Sequence, residues 1–415
     1  MNSITKILKI DLNYLIKGGF VLGLGHTSGV LVAFSLSLIF ANLIDPHTYG
    51  QYKYIISIAG ILGALSLSGA ATTVLQSVAR GFDGTLFAEQ RAYLKWGLLS
   101  VGASLAVGGY YIIEGDTALG LGVSIATIAN YLYGSLTLHT AYLNAKKDFK
   151  RLSLNQALNG GILLLSVGSA IFFNLSSVLW ILIAYNGSQI IFQFFAYRKT
   201  LARYAPDARI DPESKNFSKH LSVGNIIMTI AEYIDKILIF QFFGPQQLAL
   251  YAFAVGVPDQ IRGVNKLLGS LIIPKLSVKD PSALFKSVGE HTKKYTLVSA
   301  LVVVLFFFGA PYIYQLFFPA YSDAAHYASL YILLLPITAL CALHGHALQI
   351  QKKVKSLYII RIVDAGGKII LFSICIPHFG VLGAIVAVLS SKLITCFVQI
   401  GLYHYEKRYY ENTLA

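Results

Sequence analysis

The chain has 415 residues, of which 55% are hydrophobic and only 13% charged, and its mean hydropathy is +0.63. A soluble domain carries about twice that charged fraction, so the composition excludes an ordinary water-soluble globular protein. The net charge of +14 raises the question of nucleic acid, but in a membrane chain an excess of Lys and Arg first signals topology.

Apolar runs long enough to cross a bilayer, roughly 20 residues each, recur from end to end. Residues 1–18 form a short amphipathic, Lys-bearing lead-in without the marks of a cleavable signal peptide. Twelve spans follow, at about 19–44, 51–78, 93–112, 117–143, 152–174, 177–197, 219–243, 247–271, 294–315, 325–350, 356–376 and 380–403. The short connections then alternate. "DPHTYG", "EGD", "GPQQ", "FFPAYSDAA" and "PHFG" contain no Lys or Arg, whereas "NAKKDFKR", "RKTLARYAPDARIDPESKNFSKH", "KLSVKDPSALFKSVGEHTKK" and "QKKVK" are rich in them. An even number of crossings and this asymmetry place both termini in the cytoplasm. The basic charge is thus topological, with membrane lipids rather than nucleic acid as its partner.

The polar stretch 198–219 divides the crossings six and six, predicting lobes of residues 1–215 and 216–415. The halves echo each other: "DPHTYGQYKY" (45–54) slides onto "GPQQLALYAF" (244–253), matching Pro46 with Pro245 and Tyr52 with Tyr251. Six crossings per half imply parallel repeats, an arrangement in which transporters place the substrate path between the halves. The expected fold class is an all-α polytopic membrane protein, about 12 transmembrane helices in two pseudo-symmetric six-helix lobes.

Ions inside the spans carry the functional reading, because charge at bilayer depth is costly and faces a bundle interior or wet cavity. The basic set is Lys53, Lys236, Arg262, Lys266, Lys368 and Lys392, and the acidic set Glu232, Asp235, Asp259 and Asp364. Helical spacing allows Glu232 to pair with Lys236, Asp259 with Arg262 and Asp364 with Lys368. Lys266 and Lys392 have no acid within one helical turn, so the set reads as net positive and suited to an anion. Arg262 is the foremost candidate, since guanidinium binds phosphate oxygens bidentately and stays charged. Glu232, Asp235, Asp259 and Asp364 are candidates for charge pairing or for a coupling ion, H⁺ or Na⁺. His26, in "GLGHTSG", is a candidate protonatable residue of the first half.

Catalytic and cofactor motifs do not appear. There is no "GxxxxGK[ST]", no "HExxH" and no G-x-S-x-G elbow. His344 and His346 make too weak a pair for a metal, and Cys341, Cys375 and Cys396 read as small packed hydrophobes. The expectation is a secondary transporter with no resident cofactor and no catalytic residues.

Four stretches then carry a family resemblance: residues 43–69, "EYIDKILIFQFFGPQQLALYAFAVGVPDQIRGVNKLLGSLIIPKLS", "LFFPAYSDAAHYASLYILLLP" and "IPHFGVLGAIVAVLSS". The sequence resembles bacterial flippases for lipid-linked oligosaccharides, the Wzx-type O-antigen flippases of the superfamily that also holds multidrug and toxin extruders. The resemblance implies a V-shaped, alternating-access transporter of the bacterial inner membrane. Its cargo would be an undecaprenyl-diphosphate-linked glycan, and a polysaccharide polymerase and chain-length machinery would be further partners. A cation-coupled drug exporter, a membrane enzyme of glycan assembly and a noncatalytic scaffold are the alternatives at this level.

Overall fold

The computed structural model describes residues 12–276 and 281–414; the side chains of residues 1–22, 24, 26, 264–287, 290 and 411–415 lie outside that description. Apart from one short 3₁₀ turn, every regular element among the described residues is α-helical. The first half holds α1 (Leu12–Leu43), α2 (Pro46–Gly63), α3 (Ala70–Ala79), α4 (Thr85–Ile113), α5 (Thr117–Ala145), α6 (Phe149–Phe172) and α7 (Val178–Tyr204). The second holds α8 (Ser214–Leu276), α9 (Pro281–Phe317), the 3₁₀ turn Pro319–Tyr321, α10 (Ala324–Tyr331), α11 (Leu334–Ile350) and α12 (Val354–Leu414).

Seven of the described helical stretches are long and apolar enough to cross a membrane by length and composition. Taking α2 with α3 and α10 with α11 as interrupted crossings, and dividing α8 and α12 at their kinks, gives six crossings on either side of residues 205–213. Many large apolar side chains on these helices are exposed, among them Leu165, Phe172, Phe308 and Phe397. The acyl chains of a bilayer cover such faces at no hydrophobic cost, and the helices satisfy their own backbone groups.

The connections follow from local chemistry. Asp45 caps α2 by accepting from the Thr48 N–H at 3.0 Å, and Pro46 occupies the first helical position, where no amide partner is needed. Asp116 caps α5 through the Leu119 N–H (2.9 Å), and Asp148 caps α6 through the Arg151 N–H (3.1 Å). The predicted 51–78 helix is interrupted: α2 ends at Gly63 and α3 begins at Ala70, with "ALSLSG" forming turns between them. The predicted loop "GPQQ" is a one-residue reversal instead. Gly244 takes φ 82° and ψ 179°, a region nearly closed to residues with a Cβ, and Pro245 starts the next helical arm. The "PHFG" loop is likewise reduced to a break at Gly380 in α12.

Two compact units result. The first comprises residues 1–44 and 55–229, the second residues 45–54 and 230–415. In the first, α4 lies along α5, α1 along α6, and α7 against α5 and α6. Leu67, Val74, Val78, Leu86, Leu138 and Tyr142 form a buried cluster at the end that carries the basic loops. The connection 205–213 is fastened there. Asp211, almost wholly buried, accepts from Ser77 Oγ at 2.6 Å, pairs with Arg80, and donates its own N–H to Thr85 Oγ1 at 3.0 Å. The Ser77 hydrogen bond, with the Glu213 N–H and the Arg80 charge, holds the Asp211 carboxyl below the usual range despite its burial.

In the second unit the start of α2 meets the reversal of α8. Tyr49 stacks on Phe253 with centroids 4.8 Å apart, Tyr54 stacks on Phe240 at 3.8 Å, and Gln241 Nε2 donates to Tyr54 Oη at 2.7 Å. Gly50 lies directly against the Pro245 backbone, with no room for a Cβ. The two segments that echo each other in sequence, 45–54 and 244–253, therefore pack together. Tyr321 and Phe318 extend the aromatic cluster around Phe253, and Tyr314 Oη donates to the Phe253 carbonyl at 2.8 Å.

Candidate functional site

The ions predicted inside the spans gather in the second unit as two carboxylate-centred clusters. In the first, on α8, Asp235 and Tyr251 lie nine and seven residues on opposite sides of Gly244. They are therefore at similar depth, about 11–13 Å from the reversal at 1.5 Å per residue. Tyr251 Oη donates to Asp235 Oδ2 at 2.6 Å, joining the two arms across a buried contact. Lys236 Nζ sits 3.3 Å from Asp235 Oδ1 and 2.9 Å from the Glu232 backbone carbonyl. The expected Glu232–Lys236 carboxylate pair is thus replaced by Asp235–Lys236. The lysine folds back along its own helix, and the Glu232 side chain is left exposed.

Farther along the second arm, Asp259 and Arg262 form the expected pair at 2.6 Å. Tyr331, at the end of α10, completes it: Arg262 Nη1 donates to Tyr331 Oη at 3.1 Å, and Tyr331 Oη donates to Asp259 Oδ1 at 3.2 Å. The guanidinium also lies 5.5 Å from the Tyr331 ring centroid. Each pair thus has its own tyrosine, Tyr251 for Asp235 and Tyr331 for Asp259 with Arg262. Pro258 is buried immediately before Asp259.

The second cluster is built on α12. Asp364 Oδ2 accepts from Lys368 Nζ at 2.8 Å, and Asp364 Oδ1 is 3.7 Å from Lys392 Nζ and 3.4 Å from Thr395 Oγ1. Asp364 and Lys368 stand before the Gly380 break, Lys392 and Thr395 after it. The acid that Lys392 lacks within one helical turn therefore comes from the other arm. One carboxylate is shared by two ammonium groups, which leaves a positive charge in excess. Cys341 and Cys396 lie beside this cluster, buried, with their thiols directed at the Thr338 and Ile337 carbonyls.

Lys53 belongs with this unit, its Nζ 5.2 Å from the Tyr49 ring centroid and 5.9 Å from that of Tyr52. Lys53, Lys236, Arg262, Lys368 and Lys392 thus accompany four carboxylates, Glu232, Asp235, Asp259 and Asp364. The side chains of His26 and Lys266 lie outside the described residues. Spacing along one helix could not reveal Tyr251, Tyr331 or Thr395 as partners of these ions. For Tyr251 the only signal is its match to Tyr52 in the internal repeat.

The described helices form a polytopic, all-α bundle with two chain reversals and carboxylate–cation networks on its apolar helices. The same fold occurs in solved transporters of low sequence identity. An inward-facing multidrug resistance MATE family transporter of the MOP superfamily superimposes with a TM-score of 0.65 at 14% identity, with 96% of each chain covered. The lipid II flippase MurJ in an inward closed conformation matches with a TM-score of 0.60 at 13% identity, over 92% of this chain and 87% of that one. A superfamily transporter from Pyrococcus furiosus, described as having a binding pocket of reverse polarity, matches with a TM-score of 0.58 at 14% identity over 95% of both chains. No curated protein matches the sequence. The family model for polysaccharide biosynthesis proteins matches residues 15–277, well over half of the chain, and the chain belongs to that family.

Proposed function

We propose that this protein flips undecaprenyl-diphosphate-linked oligosaccharide repeat units, of O-antigen or a related surface polysaccharide, from the cytoplasmic to the periplasmic leaflet of the bacterial inner membrane. The observation that carries the reading is the Asp364 carboxylate shared by Lys368 and Lys392. A diphosphate arriving there meets an ammonium group already at depth and only partly neutralised, so less desolvation opposes its binding. Arg262 is a second anchor, and its planar fork could exchange Asp259 for phosphate oxygens while Tyr331 holds its orientation. Lys53, Lys236 and Lys266 complete the basic set. Membership in a polysaccharide biosynthesis family and the likeness to a lipid II flippase support a lipid-linked glycan as cargo. The protein acts by alternating access without a catalytic step, with both termini cytoplasmic, and hands its cargo to a polysaccharide polymerase and chain-length machinery.

Coupling to H⁺ or Na⁺ is assigned to Glu232, whose carboxylate is exposed and has no ion pair among the described residues, with Asp235 beside it. The same acids are what favour the second reading, a cation-coupled small-molecule exporter. Deletion of the gene separates the two. The undecaprenyl-linked repeat unit is expected to accumulate on the cytoplasmic leaflet, with rescue by the wild-type gene and not by Arg262→Ala. Normal export with Arg262, Lys368 and Lys392 all neutralised would overturn the anion-site reading.

A further inference from the structure

A groove of about 350 Å³ opens on the first unit between α6 and α7. Its walls are Leu158 and Ile162 of α6 and Ile191 and Phe195 of α7, all of them exposed apolar side chains. Asn155 and Lys199 also line it. Behind the groove, Asn159 Nδ2 donates to Gln189 Oε1 at 2.8 Å and ties the two helices together.

Length and polarity define what fits. Asn155 lies six residues into α6 and Lys199 five residues before the end of α7, so the polar mouth is near the face that carries the basic loops. From Lys199 to Ile191 the wall extends about 12 Å, and from Asn155 to Ile162 about 10 Å. The hydrocarbon half-thickness of a bilayer is about 15 Å. The groove therefore spans most of the depth of one leaflet, apolar toward the membrane interior and cationic toward the headgroup level.

Apolar surface alone would not select a ligand in lipid, because acyl chains are as apolar as leucine. The cation at the mouth makes the difference. Lys199 is an exposed lining residue of the groove, and an ammonium there suits a phosphate at the headgroup level. Neither α6 nor α7 carries an acidic residue, and Asp148, which caps α6, is already engaged by Arg151 and by Tyr204 Oη. We propose that this groove is a binding site for one anionic phospholipid of the leaflet on the basic-loop side, its acyl chain between Leu158, Ile162, Ile191 and Phe195 and its phosphate on Lys199 and Asn155. The site is independent of the cargo reading.

The test uses the full chain reconstituted in phosphatidylcholine nanodiscs containing a minor fraction of phosphatidylglycerol, with retained lipid counted by native mass spectrometry. One phosphatidylglycerol per chain is expected to survive release. Retention falls about fivefold in Lys199→Gln, and is lost in Ile162→Trp, which fills the groove. Lys150→Gln, an exposed lysine outside the groove, retains the lipid. Melting curves of each variant verify folding, and Lys199→Gln removes only an exposed charge, so it carries the test if Ile162→Trp is unstable. Equal retention of phosphatidylcholine, unchanged retention in Lys199→Gln, or a second copy of the chain in place of lipid would each overturn the proposal.

Discussion

Arg262, the outstanding cation of the sequence, is held in place by a tyrosine 69 residues away. Tyr331 binds both members of the Asp259–Arg262 pair, and Tyr251 does the same service for Asp235 across the α8 reversal. A hydrogen bond to a charged acceptor contributes about 1.5–3 kcal/mol when buried, so Tyr251→Phe is expected to destabilise the protein by about 2 kcal/mol, read as a lowered melting temperature in detergent. A melting temperature equal to wild type would mean that water replaces the hydroxyl without loss. In the α12 cluster the shared acid controls the outcome. Asp364→Asn leaves two ammonium groups facing each other and should destabilise more than Lys392→Met, which leaves the Asp364–Lys368 pair intact. The double variant should recover part of the loss, and additive effects in that cycle would show that Lys392 and Asp364 do not interact.

At the level of elements, single residues decide how helices are joined. Gly244 reverses the chain with a backbone conformation that costs a residue with a Cβ about 1–3 kcal/mol. Gly244→Ala should therefore lower the melting temperature, and Gly50→Leu should do so through a different cause, collision with the Pro245 backbone. The connection 205–213 is fixed by Asp211 rather than left as a tether. Because the Asp211 pKa is lower in the folded state than in the unfolded chain, its stabilisation is fully present above the unfolded value, near 3.9, and is lost as pH falls through the folded value. Acid melts should show Asp211→Asn less stable than wild type at neutral pH, with the two converging as pH falls below about 4. Parallel curves would exclude Asp211 as the group responsible.

For the whole molecule, the alternation of basic and base-free connections makes a prediction about sidedness. In a variant whose three native cysteines are replaced, a cysteine at Asp116 should react with an impermeant maleimide in intact cells. A cysteine at Lys147 should react only after permeabilisation. The opposite pattern would invert the protein and remove the assignment of the basic end of the α6–α7 groove to the cytoplasmic leaflet. The family and the number of crossings were both legible in the chain, because hydrophobic length and loop charge are local quantities. The resemblance carried by "EYIDKILIFQFFGPQQLALYAF" agrees with the polysaccharide biosynthesis family that the chain belongs to.

The sequence by itself determined the membrane class, the crossings and the identities of the ions within them, since each depends on residues within one helix length. Tertiary structure alone decided their partners. Lys236 takes Asp235 rather than Glu232, Lys392 reaches Asp364 across the Gly380 break, and residues 45–54 join the second unit rather than the first. The physical reason is the same in each case. Helical periodicity specifies which side chains share a face, but a charge at depth is neutralised by whichever opposite group the packing of a second helix brings within about 4 Å.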